Sequence, residues 1–237
     1  MPGDRPRSEF PAPDAAARDF EERPRERLVP DAYRLGAVPL GGAAIAYALG
    51  WPLVCGAALA LTLFVAAFFR NPSRPLPGGE RQVVAPADGR VLEAGEVEGA
   101  DGSKRLRVAI FLSVFDVHVN RMPVAGRVTG IERGGDGYRA AFRADADATN
   151  VFCRVDLETT AGELVSVTQI TGWIARRILC YPHVGQRIER GMRYGLIRFG
   201  SRTDVTLPVG ATLRVQRGDR VTGGATVVAD LPPREDA

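Results

Sequence analysis

Lysine is nearly absent from this chain. Of its 31 basic residues only Lys104 is a lysine; the rest are arginine. Lys104 sits in "GADGSKRL", which reads as an exposed hairpin tip. Covalent catalysis on a lysine, including that of pyridoxal-phosphate enzymes, needs the amine held in a pocket. This chemistry is therefore disfavoured, and so is attachment of biotin or lipoate. Cysteine is also scarce. Cys55, Cys153 and Cys180 are widely separated, with no CxxC and no Cys/His cluster, so no metal site is expected. An odd number at irregular spacing suits reduced, buried thiols in a cytosol-facing protein. The two histidines, His118 and His183, are too few for a His-rich metallopeptidase site, and His183 lies in the turn-like "CYPHVGQ". A net charge of +3 gives no argument for nucleic acid as a partner.

What is present divides the 237 residues into four parts. Residues 1–34 are rich in Pro, Arg, Asp and Glu and read as a disordered polar tail. They lack the pattern of a secretory signal. Residues 35–69 contain no charged side chain, and Gly50-Trp51-Pro52 punctuates the middle. A single spanning helix needs ~20 apolar residues, so this run is long for one span and short for two. Arg34 before it and Arg70 and Arg74 after it place both flanks on the cytoplasmic side. That favours a membrane-associated helical hairpin, with one tilted span as the alternative. Residues 70–80 form a Pro/Gly-rich linker. Residues 81–237 consist of short β-branched runs broken by Gly, Asp-Gly and Pro turns, which predicts a mostly-β (α+β) catalytic domain. The glycine spacing in "VGQRIERGMRYG" matches barrel-sandwich modules of the lipoyl/biotinyl kind, here without an attachment lysine.

Three polar positions stand out against the β background. Asp88 lies in "VVAPADGRV", where an Asp-Gly pair is first of all a turn. His118 lies in "FLSVFDVHVNRMPVAG", an apolar run that becomes polar at Asp116, His118, Asn120 and Arg121; on an extended chain Asp116, His118 and Asn120 share a face. Ser201 follows Gly200 in "RFGSRTDVTLP", with Arg198 and Arg202 on either side. Asp, His and Ser together suggest activation of a hydroxyl nucleophile. The hydrolase elbow G-x-S-x-G is absent. A membrane-tethered Ser/His/Asp hydrolase and a non-enzymatic lipoyl-like adaptor both remain open at this point.

Five stretches in order, "FFRNPSR", "VVAPADGRV", "FDVHVNRMPVAG", "ITGWIARRILCY" and "RFGSRTDVTLP", resemble the short bacterial form of the phosphatidylserine decarboxylase proenzyme family, from about residue 35 to 231. The resemblance implies a pyruvoyl-dependent decarboxylation of phosphatidylserine to phosphatidylethanolamine. It also implies that Ser201 attacks the Gly200 carbonyl, the chain divides into residues 1–200 and 201–237, and Ser201 becomes the pyruvoyl cofactor. Asp88 and His118 would activate Ser201. Longer members carry a second histidine where this chain has Arg121, so the division of roles is open here, and Arg121 is a candidate for the substrate phosphate or carboxylate. The implied partners are a phospholipid membrane, the phosphatidylserine substrate, and the two subunits with each other as a heterodimer, further oligomerisation being open. The implied location is the inner membrane, with the catalytic domain on the cytoplasmic side.

Overall fold

The computed structural model describes residues 28–99, 102–142, 149–173, 177–198 and 201–233. Most of the polar tail lies outside these residues, as does Gly200. The charge-free run does not form one continuous helix. It forms α1 (Pro30–Ala48) and α2 (Pro52–Phe68), each with a proline in its first turn, where the missing N–H is no loss. Helix α1 starts five residues before the charge-free run. The break at Leu49–Trp51 contains Gly50 at φ 70°, a conformation glycine adopts without strain.

The two helices fold back on one another. An antiparallel bridge joins Leu28 to Arg70, and the Val29 amide donates to the Phe69 carbonyl at 3.1 Å, so both ends of the hairpin meet. Small residues let the helices approach: Gly36, Ala43 and Ala46 are buried, and Gly36 faces Val65. The outer faces are apolar and open, with Val38, Leu53 and Leu63 more than 70% exposed. Among the described residues no helix is long and apolar enough to cross a membrane.

The rest is mostly β. The strands are β1 (Gln82–Val84), β2 (Gly89–Glu98), β3 (Lys104–Leu112), β4 (Val119–Arg121), β5 (Gly126–Gly134), β6 (Phe152–Glu158), β7 (Leu164–Ile170), β8 (Arg177–Cys180), β9 (Arg187–Ile188), β10 (Arg193–Arg198), β11 (Ser201–Leu207), β12 (Thr212–Leu213), β13 (Arg220–Val221) and β14 (Val227–Asp230). The largest sheet runs β13-β2-β3-β11-β7-β6-β5-β9; two small ones run β4-β10-β8 and β1-β14-β12. Lys104 is 75% exposed in its side chain at the β2–β3 hairpin, as its sequence context predicts. The apolar run predicted as one strand through His118 is interrupted: β3 ends at Leu112, and a turn over 113–117 separates it from β4. The break is where the Asp116 carboxylate accepts hydrogen bonds from the Ser113 amide and hydroxyl, a local alternative to the sheet ladder.

Strand β11 is central. It pairs antiparallel with β3 from Ser201↔Leu112 to Leu207↔Leu106, and with β7 from Arg202↔Ile170 to Thr206↔Ser166. With a period of two, Ser201, Thr203, Val205 and Leu207 face the interior; Val205 and Leu207 join the main core with Val108, Ile110, Val155, Val167 and Tyr194. Arg202 and Asp204 point to the other face, where the guanidinium donates twice to the carboxylate at 2.7 Å; both side chains are nearly inaccessible. Cys153 and Cys180, distant in sequence, pack together between β6 and β8, and all three thiols are free.

Removing one partner of a buried ion pair leaves an uncompensated charge. Asp204→Ala therefore lowers unfolding free energy by about 3–5 kcal/mol, measured by urea denaturation.

Candidate active site

The site grows from two chain segments that cross between the same sheets. Strand β3 leads to β4 and β10 leads to β11, while β3 pairs with β11 and β4 pairs with β10. The pairings Ser201↔Leu112 and Leu196↔Val119 therefore set the turn that follows β3 beside the end of β10 and the start of β11. His118 directly precedes β4 and Ser201 begins β11. Topology, rather than sequence proximity, brings the two predicted residues to one region.

Ser201 is fully buried, and its Oγ has no hydrogen-bond partner among the described residues. Leaving a buried hydroxyl unpaired costs about 1–3 kcal/mol, so such an atom calls for a functional explanation. The two arginines that flank it are spent on holding the segment. Arg198 pairs with Asp31 in the first turn of α1, at 2.5 Å, and Arg202 pairs with Asp204.

His118 is also fully buried. Its Nδ1 lies 2.9 Å from the Asp116 carbonyl, which can only accept, so Nδ1 carries the proton and Nε2 presents a lone pair. Phe68, in the last turn of α2, stacks on the imidazole at 4.0 Å between centroids. Burial pushes the His118 pKa down to about 4, with the neighbouring Arg70 charge acting in the same direction; the Asp116 carbonyl and carboxylate oppose it. At neutral pH the ring is an uncharged base. Arg70 closes the region by donating to the Phe115 carbonyl at 2.9 Å, and Arg220 holds the Asp116 carboxylate at 2.9 Å.

Asp88 sits on the loop between β1 and β2. Its carboxylate accepts from Arg74 at 2.7 Å and from the Gly223 amide at 2.8 Å. Burial raises its pKa, and the Gly223 bond and the Arg74 charge oppose this; the Asp116 and Arg70 charges also act on it. Asp88 thus shares the electrostatic field of the His118 turn, and its hydrogen bonds go to Arg74 and Gly223. The Asp-Gly turn is obligatory at its second position: Gly89 has φ 155°, and a Cβ there would lie 2.1 Å from the Phe111 carbonyl oxygen. Arg121 donates to Asn71 Oδ1 at 2.7 Å, to the Pro72 carbonyl at 2.9 Å and to the Gly191 carbonyl at 3.1 Å, clamping the linker onto the β domain. His183 is exposed in its turn, with its amide bonded to Gln186.

Sequence reading missed the partners. Asn120, on the predicted polar face, points into a buried network, accepting from Gln169 at 2.7 Å and facing Thr203, two residues after Ser201. Phe68 gave no signal because it sits in a uniformly apolar helix. A cavity of about 600 Å³ lies on the opposite side of β11 from Ser201, lined by Arg105, Arg107, Arg154, Thr168 and Asp204. Among the described residues no cluster of His, Cys, Asp and Glu could hold a metal ion.

Comparison with known proteins gives a consistent result. The model of a family described as phosphatidylserine decarboxylase matches residues 61–229. A protein named phosphatidylserine decarboxylase proenzyme from Symbiobacterium thermophilum is 48% identical over 202 residues, covering 82% of this chain and 93% of that protein. Proteins of the same name from Geotalea uraniireducens and Cupriavidus pinatubonensis are 44% and 40% identical, covering 78% and 77% of this chain and 87% and 93% of theirs.

A histidine whose folded pKa is depressed binds fewer protons than in the unfolded chain, so its contribution favours folding less and less as pH falls through that window. Between pH 6.5 and 4 it removes about 3 kcal/mol of stability. His118→Asn abolishes that part of the pH dependence; urea titrations of both proteins at the two pH values check it.

Proposed function

We propose that this chain, which belongs to the phosphatidylserine decarboxylase family, removes the carboxyl group of phosphatidylserine to give phosphatidylethanolamine, after cutting itself between Gly200 and Ser201. The observation that carries the reading is the buried, unpartnered Ser201 Oγ at the start of a strand held on both edges. It fits the family's pyruvoyl group, which is made from a serine at this position of the motif. Once formed, that group supplies a carbonyl that draws electrons from the substrate as carbon dioxide leaves.

The residues have distinct tasks. Ser201 Oγ is the nucleophile toward the Gly200 carbonyl; Gly200 itself lies outside the described residues. His118 takes the serine proton at Nε2, because its other nitrogen is committed to the Asp116 carbonyl and its low pKa keeps the ring unprotonated at neutral pH. Asp88 supports the charge balance of the same region through Arg74 and the Gly223 amide. Arg121 keeps the linker seated, and we retain it as a candidate for an oxyanion of the substrate. The product is a heterodimer of residues 1–200 and 201–237. The curled eight-stranded sheet supports a barrel-sandwich description of the domain that holds both pieces.

The hairpin gives the enzyme access to a lipid. Helices of 19 and 17 residues are about 26–29 Å long, with apolar outer faces and both ends at one level. This suits insertion from one side of a bilayer rather than crossing. Arg34, Arg70 and Arg74 near its base favour the anionic cytoplasmic leaflet, which supports a catalytic domain on the cytoplasmic side of the inner membrane.

Intact-mass analysis of the purified protein tests the reading. The wild-type chain appears as two pieces divided at 200–201, and the smaller piece reacts with hydroxylamine. Ser201→Ala gives one full-length chain with no reactive carbonyl, and His118→Ala slows division at least 100-fold. A full-length wild-type chain whose intact Ser201 is labelled by a serine-directed phosphonate would instead indicate a hydrolase.

A further inference from the structure

One buried charge is used by none of these steps. Arg193 opens β10, the strand that leads to Ser201, and it is only 2% exposed. None of its three guanidinium nitrogens has a hydrogen-bond partner among the described residues. The guanidinium lies over the Tyr181 ring at 5.5 Å, an attraction much weaker than the hydration it has given up. Its surroundings make the imbalance worse. Arg121 is its cross-strand neighbour, and Arg74 also acts on Arg121. The carboxylate that acts on Arg121 is Asp88, already bonded to Arg74 and to the Gly223 amide.

We propose that Arg193 is an anion site for a phosphate group, the phosphodiester of a phospholipid headgroup being the form that its place in the fold suits. This rests on, and deepens, the reading of the chain as a phospholipid enzyme. Arginine presents a planar fork of donors that matches two oxygens of a phosphate, and a desolvated site strengthens such a pair. Location supplies the second argument. Tyr181 belongs to the apolar cluster under the hairpin, with Val29, Ala32, Phe68 and Phe69, and partly buried Met192 packs against it. A headgroup drawn down beside the hairpin base meets Arg193 at the start of β10, the strand whose far end precedes Ser201. The guanidinium is covered, so the phosphate reaches it as the hairpin base shifts from Tyr181.

The test uses the full, self-processed protein and its Arg193→Met and Arg193→Lys variants. Melting is followed with inorganic phosphate, with soluble glycerophosphoserine and with serine, and KM and kcat are measured on phosphatidylserine in mixed micelles. Wild-type protein gains stability with a phosphate-bearing probe and not with serine. Arg193→Met melts no lower than wild type without a probe, loses the probe-induced shift, and raises KM at least tenfold with a smaller change in kcat; Arg193→Lys keeps part of the shift. A shift confined to glycerophosphoserine assigns the site to a headgroup, and equal shifts with inorganic phosphate assign it to the phosphate group alone. No shift in wild type overturns the proposal. So does an Arg193→Met protein that melts lower or fails to fold while Arg193→Lys keeps the wild-type KM and shows no altered shift. Division at 200–201 is read on the same samples: if wild type stays whole, the proposed function fails, while the probe-induced shift still reports on Arg193.

Discussion

The two-sided pairing of β11 is the constraint on which the rest depends. Its backbone is engaged by β3 along one edge and by β7 along the other, and its inward side chains sit in the core. A chain divided just before Ser201 would leave a new end on a strand that has nowhere else to go. The downstream piece is held elsewhere too, by β13 on β2 and by β14 on β1. Fragment 201–237 is therefore interleaved with the preceding residues rather than attached to them. Its separation would expose Val205, Leu207, Val221, Val228 and Ala229, each fully or almost fully buried. At roughly 1.5–3 kcal/mol for a large buried side chain, this burial would hold the fragment in place after a division before Ser201.

That permission makes the surroundings of His118 decisive. Under the proposed chemistry the base must be neutral; burial holds the His118 pKa down to about 4, and Phe68, a residue outside the β domain, lies against the ring at 4.0 Å. The helical hairpin is thus part of the reactive region. Its base contributes the ring that lies against the imidazole, Arg70 to the Phe115 carbonyl, and Asp31 to Arg198, three residues before Ser201. The base of the exposed hairpin and the surroundings of His118 meet at one junction, so lipid contact along the hairpin, as proposed, would act on both. Their coupling requires only that the junction have more than one packing.

The sequence made the outline legible for definite reasons. The charge-free run and its Gly-Trp-Pro break favoured a helical hairpin over a single tilted span, because helix breakers and length are local properties. Turn glycines marked most strand ends, and the exposed Lys104 hairpin followed from its neighbours. The grouping of Ser201, His118 and Asp88 came from the family motifs; composition alone left a hydrolase open. What escaped was the choice of partner, near or far. The break at Ser113–Val117 comes from a side chain folding back on its own turn, so a β-like run hid a corner. The partners of Arg121 and Arg198 come from 50 and 167 residues away. No periodicity in the chain announces a contact of that range.

The arginine-for-lysine skew acquires a chemical reading in this setting, whatever its origin. The long-range contacts that close the linker and hairpin onto the β domain run through Arg70, Arg74, Arg121, Arg190 and Arg198. Guanidinium suits them because it stays charged when buried and spreads several donors over carbonyl oxygens. Lysine at the same places would bring a primary amine whose pKa falls on burial. Under the proposed chemistry the reactive group is a carbonyl that must await the amine of its substrate. A desolvated lysine nearby would compete for it from within the protein, whereas a guanidinium, always protonated, does not. The single lysine stands at a solvent-exposed hairpin, paired loosely with Glu96 at 3.4 Å and outside every contact named for the site.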